Sequence, residues 1–124
     1  MLLGIGIDLI EVARIARRLA DDGAALRDAV FTPAEIAYCD GKHFPAQHFA
    51  ARFAAKEAAF KALAVGPADG VAWREVEIVS EAGVPVLALT GRAREIADRR
   101  GVRRAFVSLT HIQELAAASV ILED

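Results

Sequence analysis

The chain has 124 residues, 55% of them hydrophobic and 26% charged, with a formal net charge of -2. A chain of that length buries roughly two-thirds of its unfolded surface as one domain, residues 1–124, without a disulfide scaffold, and its charge balance excludes a generally basic nucleic-acid binder. Cys39 is the single cysteine; it cannot pair within the chain and fits a reducing compartment as a small hydrophobe. No basic region precedes Asp8, so no signal peptide is expected, and no apolar window is long enough to span a bilayer. The expectation is a cytoplasmic protein with neither nucleic acid nor membrane as a partner.

Leu2 to Ile7 is a short apolar run with glycines at 4 and 6, which reads as a buried strand approached closely by another element. Asp8 ends it, either as a ligand or metal contact or, with Glu11, as support for the next helix. From Glu11 to about Ala20, Val12, Ile15, Ala16 and Leu19 mark the buried face of a helix. Arg14, Arg17 and Arg18 share another face, as solvated surface or as a basic patch for an acidic partner. Asp21-Asp22-Gly23 stops that helix, and a short amphipathic piece covers Ala24 to Val30. Thr32-Pro33-Ala34-Glu35 combines an N-cap Thr, a first-turn Pro and a Glu three residues after the cap, so a helix starts there and runs to about Cys39.

The long helix begins at Pro45 or Ala46 and ends at Leu63 or Ala64, rich in alanine and with Phe49, Phe53, Phe60 and Leu63 on one apolar face. Glu57 and Lys61 stand four apart, a spacing that fits an ordinary ion pair. Lys56 falls inside the apolar stripe and needs a partner; its stem would pack while its ammonium meets a carboxylate or a neighbouring subunit. Gly66-Pro67 closes the helix and leaves backbone N–H groups near Lys61 free for a phosphate. Strands are expected over Trp73–Val79 and Val84–Leu89, joined by a turn at Glu81-Ala82-Gly83, with Pro85 at an edge or strand start. Thr90 would cap a helix from Gly91 to about Arg100, and Val102–Thr110 and Leu115–Leu122 would form a last hairpin around His111. Helices segregated from mostly antiparallel strands indicate an α+β fold, a long central helix packed on the sheet. Packed there, Glu57 would face Asp8. Two carboxylates with a lysine one turn away suit Mg2+ holding a phosphorylated ligand: Asp8 and Glu57 as metal ligands, Lys61 neutralising phosphate charge, Glu57 orienting or deprotonating a nucleophile. His111 reads as a surface histidine or a phosphate contact.

Gly4-Ile5-Gly6-Ile7-Asp8 with Glu11 and Arg14, the run from Phe49 to Ala62 containing Arg52-Phe53-Ala54-Ala55-Lys56-Glu57-Ala58, and Ser108-Leu109-Thr110-His111 occur in the order of three signatures. Together they resemble the holo-acyl-carrier-protein synthase family of 4′-phosphopantetheinyl transferases, along essentially the whole chain. The resemblance implies transfer of 4′-phosphopantetheine from coenzyme A to a serine of apo acyl carrier protein, with release of 3′,5′-ADP. It places the family's Mg2+ ligands on Asp8 and Glu57 and its active-site lysine on Lys61. It also implies a homotrimer with sites between subunits, where Arg52, His111 and the Gly83-Val84-Pro85 turn reach coenzyme A, and a carrier-protein docking face around Arg14, Arg17 and Arg18. Where the family commonly has Gly-Thr-Gly after its Lys-Ala-Leu, this chain has Ala64-Val65-Gly66, leaving Gly66 as the surviving backbone contact; Val84 stands where a basic residue is frequent. The resemblance does not distinguish a carrier protein of fatty-acid synthesis from one of polyketide synthesis. A non-catalytic coenzyme A or carrier-protein binding module of the same fold and a Mg2+-dependent phosphohydrolase are the competing readings.

Overall fold

The computed structural model describes residues 1–124, in the order β1 (Leu2–Glu11), α1 (Val12–Asp22), α2 (Ala24–Val30), α3 (Pro33–Asp40), α4 (Pro45–Leu63), β2 (Val76–Glu81), β3 (Val84–Leu89), α5 (Gly91–Arg99), β4 (Arg104–His111) and β5 (Leu115–Glu123). The fold is α+β. β1, β5 and β4 form an antiparallel sheet in that order, β2 and β3 form a separate antiparallel hairpin, and α4 lies across the larger sheet. No helix is long and apolar enough to cross a membrane.

β1 does not end at Asp8. Its register against β5 runs on through Asp8↔Ala118 and Leu9↔Ala117 to Glu11↔Leu115, so the partner strand, rather than the acid, sets its length. The start of α1 is satisfied by the chain at its other end, Val12 N donating to Glu114 O at 2.9 Å, and neither Asp8 nor Glu11 caps that helix. The capping box at α3 forms as the sequence prescribes: Glu35 N donates to Thr32 Oγ1 at 3.2 Å and Thr32 N donates to Glu35 Oε1 at 2.9 Å. Trp73–Glu75 is a 3-10 turn rather than the first half of β2. Its ring packs against α4, stacked on Phe53 with centroids 5.1 Å apart and edge-on to Phe60 at 4.9 Å. Thr90 makes no side-chain cap for α5; Glu75 does so from outside, accepting from Arg92 N at 2.6 Å.

α4 is buried nearly all round instead of on one face. From Phe49 to Phe60 every residue except Glu57 is buried. Alanines make this possible, because a helix whose surface is mostly methyl groups can be surrounded without leaving voids. The closest approach is to β1. A Cβ added at Gly6 would lie 1.8 Å from Ala58 O, and one at Gly4 2.2 Å from Ala62 O, so helix backbone occupies the space that a side chain would need. Gly4, Gly6, Asp8 and Ile10 share the strand face towards α4. Ile5, Ile7 and Leu9 lie on the other face, 65–69% exposed, and Phe106 on β4 is 51% exposed. The outer face of the larger sheet is therefore apolar and uncovered.

α4 ends at Leu63, where the sequence places its end, but the residue that caps it is Ala64 rather than Gly66. Ala64 takes the left-handed conformation (φ 58°), with Val65 N donating to Phe60 O at 3.0 Å and Ala64 N to Lys61 O at 3.1 Å, the paired bonds of a Schellman cap. Gly66 is extended (φ -160°). An alanine in the left-handed region carries a steric cost of about 1 kcal/mol that glycine avoids. Ala64→Gly is accordingly expected to stabilise the fold by about 0.5–1 kcal/mol in urea denaturation. Gly6→Ala, which drives a methyl into the Ala58 carbonyl, should cost about 2 kcal/mol or more. Equal midpoints for these two variants would contradict the helix–strand packing described.

Candidate functional site

Asp8 comes from the strand face that meets α4, and Glu57 and Lys61 come from the C-terminal half of α4. Lys61 Nζ contacts Asp8 Oδ1 at 3.1 Å and Ile7 O at 2.9 Å. The ion pair that the four-residue spacing suggests between Glu57 and Lys61 does not form, because Lys61 turns to the strand. Glu57 is half-buried and its carboxyl is held above the usual carboxylate range. Burial is the main cause; the negative Asp8 adds to it, and Lys61 and Arg14 oppose it. Asp8 and Glu57 thus lie within each other's field, with the positive charges of Lys61 and Arg14 nearby. That is a place for a cation, and the Lys61 ammonium shows that Asp8 accepts one.

The basic face of α1 is less uniform than its spacing suggests. Arg14 and Arg17 are exposed, and Arg14 contributes to the field at Glu57. Arg18 folds back, its guanidinium 6.0 Å from the Phe53 ring centre and its Nε 4.0 Å from Asp22 Oδ2.

Arg52, Pro85 and His111 lie elsewhere, around a cavity of about 180 Å³ whose lining also includes Tyr38, His48 and Gly83. Arg52 is 5% exposed, with its guanidinium 3.9 Å from the Tyr38 ring centre and its Nε buried with no hydrogen-bond partner. His48 meets His111 edge-on at 5.1 Å and Tyr38 at 6.1 Å, and Lys42 Nζ lies 4.4 Å from the opposite partner in this group, the Tyr38 ring. Burial lowers the His48 pKa, and the charges of His111, Arg52 and Lys42 lower it further. Cationic groups with an unsatisfied buried donor suit an anion. Tyr38, Lys42 and His48 are not singled out by the sequence reading. For His48 the signal was helical spacing, four residues before Arg52 on α4; Lys42 lies in the turn after α3 and carried none.

Gly66 joins neither group, and its N–H is not free. It donates to Asp69 Oδ2 at 2.9 Å, so a phosphate there would have to displace a carboxylate. The two groups are also separate from each other. Arg52 and Glu57 are five residues apart, about 140° around α4, and the cavity lining includes none of Asp8, Glu57 or Lys61.

Lys56 has its partner within the chain. Lys56 and Glu35 have no exposed side-chain surface and meet at 2.9 Å. The ammonium also donates to Val76 O and, at 3.2 Å, to Trp73 O, while Glu35 Oε2 accepts from Ile78 N at 2.9 Å. Burial lowers the Lys56 pKa, and Glu35 opposes this. Cys39, fully buried behind this group, has its thiol pushed up to about 12 by burial and is inert.

The 4′-phosphopantetheinyl transferase superfamily model matches residues 4–118. A holo-[acyl-carrier-protein] synthase of Koribacter versatilis is 46% identical over 125 residues, covering 100% of each chain. Among solved structures, the holo-[acyl-carrier-protein] synthase of Neisseria meningitidis is 31% identical with a TM-score of 0.89 over 100% of both chains. That of Helicobacter pylori, in complex with coenzyme A, is 28% identical with a TM-score of 0.84, covering 96% of this chain and 99% of its own.

The raised pKa of Glu57 links it to stability. Below the unfolded-state value the carboxyl is protonated in both states; as pH rises through the higher folded value it must ionise against burial and Asp8, and stability is lost. Glu57→Gln should therefore melt above the unsubstituted protein near pH 7 and level with it near pH 4, read by calorimetry without divalent cations. Equal melting at both pH values would show that Glu57 is not strained.

Proposed function

The chain belongs to the holo-acyl-carrier-protein synthase family of the 4′-phosphopantetheinyl transferase superfamily, and from that premise we propose that it moves 4′-phosphopantetheine from coenzyme A to a serine of apo acyl carrier protein. The observation that carries this reading is Glu57. It is the one residue between Phe49 and Phe60 left unburied on α4, and it is held in the field of Asp8.

In the proposed reaction the serine oxygen attacks the phosphorus next to the pantetheine arm. A new P–O bond forms, the P–O bond to the adenylate breaks, and 3′,5′-ADP leaves. The hydroxyl proton passes to Glu57 or to a water held by it; its raised pKa brings it closer to a useful base. Lys61 moves its charge from Asp8 to the phosphate and offsets the negative charge of the transition state. Asp8 and Glu57 are the residues that would hold Mg2+, which usually takes one or two protein carboxylates and completes its shell with water and substrate phosphates. When bound, the ion supplies further neutralisation of the diphosphate.

Arg52, His111 and Pro85 would contact coenzyme A, where the unpartnered Arg52 Nε awaits an acceptor. The separation of this cavity from Asp8 and Glu57 within one chain supports a site built between copies. The uncovered apolar face of Ile5, Ile7 and Leu9 supplies a surface on which copies would meet, and we assign a homotrimer. Arg14, which acts on the field at Glu57, and Arg17 on the same helix would receive the acidic carrier protein, with Arg18 at the edge of that surface. One observation favours a non-catalytic binding module instead: the N–H groups of Ala64, Val65 and Gly66 are all bonded within the chain.

Mass spectrometry of apo acyl carrier protein incubated with coenzyme A, Mg2+ and the protein should show the phosphopantetheine addition. Coenzyme A binding by calorimetry without any addition to fatty-acid or polyketide carrier proteins would establish the module instead. Asp8→Asn and Glu57→Gln should each lower turnover at least about 100-fold while the fold is kept. Arg14→Glu should raise the KM for carrier protein about 10-fold and leave that for coenzyme A unchanged. Sedimentation should give the mass of three chains, and Ile7→Lys should lower it.

A further inference from the structure

Of the buried side chains on α4, Lys56 alone makes hydrogen bonds, and it makes them to three other elements. Its partners are Glu35 on α3, Val76 O at the start of β2, and Trp73 O in the 3-10 turn. Glu35 in turn is fixed by Thr32 N and Ile78 N. We propose that the Lys56–Glu35 pair is a positioning device for Glu57, fixing the roll and axial setting of α4 so that the Glu57 carboxylate stays opposite Asp8. The inference rests on the role given to Glu57 above.

The rest of the α4 surface explains why such a device is needed. Ala50, Ala51, Ala54, Ala55, Ala58, Ala59 and Ala62 are all buried, and methyl groups give shallow ridges that resist rotation and sliding weakly, while Phe49, Phe53, Phe60 and Leu63 add apolar contacts that carry no directional bond. The glycines of β1 set how near the helix comes, but they present no side chain to engage it. Arg100 holds the far end through Ala62 O at 3.0 Å, a contact to backbone near the axis. Arg52 is held only by stacking on Tyr38. Directional bonds far from the axis come from two lysines: Lys61, at the exposed edge, to Ile7 O and Asp8, and Lys56, which alone supplies them inside the core.

Lys56 and Glu57 are adjacent, about 100° apart around the helix and about 1.5 Å apart along it. They therefore face opposite demands: one is anchored in α3 and β2 and the other is presented to β1. With the carboxylate about 6 Å from the axis, a roll of about 10° moves it by about 1 Å. A displacement of that size at a reacting centre costs up to about 100-fold in rate. Hydrophobic replacement of a buried ion pair is often neutral for stability, whereas the pair supplies a unique setting, which is what a smooth helix lacks.

The experiment compares the unsubstituted protein with Lys56→Met/Glu35→Gln, and with Glu35→Gln alone as the milder variant should the pair fail to fold. Circular dichroism fixes the folded fraction. Per folded molecule, kcat should fall about 10–100-fold in the double variant, while the KM values for coenzyme A and carrier protein stay within about 3-fold of the original, because neither substituted residue lies on a substrate surface. Crystals grown without metal should show α4 rolled and the Glu57 carboxylate displaced relative to Asp8. A lower melting temperature with unchanged kcat per folded molecule and Glu57 in place would overturn the proposal, leaving the pair a fold-stabilising contact only. If the unsubstituted protein modifies no carrier protein, the transferase reading fails, and the position of Glu57 in the two crystals still decides this one.

Discussion

The contact on which the remaining structure depends is the one between β1 and α4. It brings strand backbone against helix backbone over Gly4, Gly6, Ala58 and Ala62, at a separation that any side chain on the strand would prevent. Two residues further along the same strand face is Asp8, so the close approach that glycine permits is also what carries an acid up to the helix. Lys61 stands in the last turn of α4, and Glu57 about one turn before it. The packing and the candidate site are consequences of the same two elements, β1 and α4.

That coupling has an energetic cost that the fold carries elsewhere. A half-buried Glu57 beside Asp8 is a charge in the wrong place for stability: burial and like-charge repulsion both favour its neutral form. Removing either acid would relieve it. A half-buried Glu57 on an otherwise buried, alanine-rich helix, with Asp8 facing it from β1, is the pattern of a site rather than of a scaffold, since a packing helix gains nothing from an unburied acid flanked by buried residues. Lys61 offsets part of the repulsion by pairing with Asp8, and in the proposed reaction that same charge is available to a phosphate.

What was legible in the sequence was mainly what is local. The capping box at Thr32 and Glu35 and the Ala82-Gly83 turn follow from residues within four positions of one another, and the structure contains them. Distance in sequence hid the rest. β1 runs beyond Asp8 because Ala116 to Ala118 lie opposite, and nothing in residues 2 to 11 records that. Glu75 replaces Thr90 at the head of α5 because the 3-10 turn brings it there. Glu35 was readable as a capping residue, yet its second oxygen serves Ile78 and its first also serves Lys56, twenty-one residues away. The sequence marked Lys56 as anomalous without showing its partner, because the acid that answers it sits in what looks like an ordinary helix start.

The same limit applies to the cavity around Arg52. Its residues come from α3, α4, the β2–β3 turn and the end of β4, and within one chain they face away from Asp8 and Glu57. A ligand long enough to touch both groups on a single copy would have to pass around α4, which is enclosed by sheet and helices. Two copies remove that difficulty if the His111 end of one meets the Glu57 flank of another, and the apolar outer face of β1 adjoins that flank through Ile7, whose carbonyl already holds Lys61. The exposed hydrophobics on β1 and the divided polar groups are then one feature: the strand that positions Asp8 from its inner face offers, on its outer face, the surface that would bring the second half of the site.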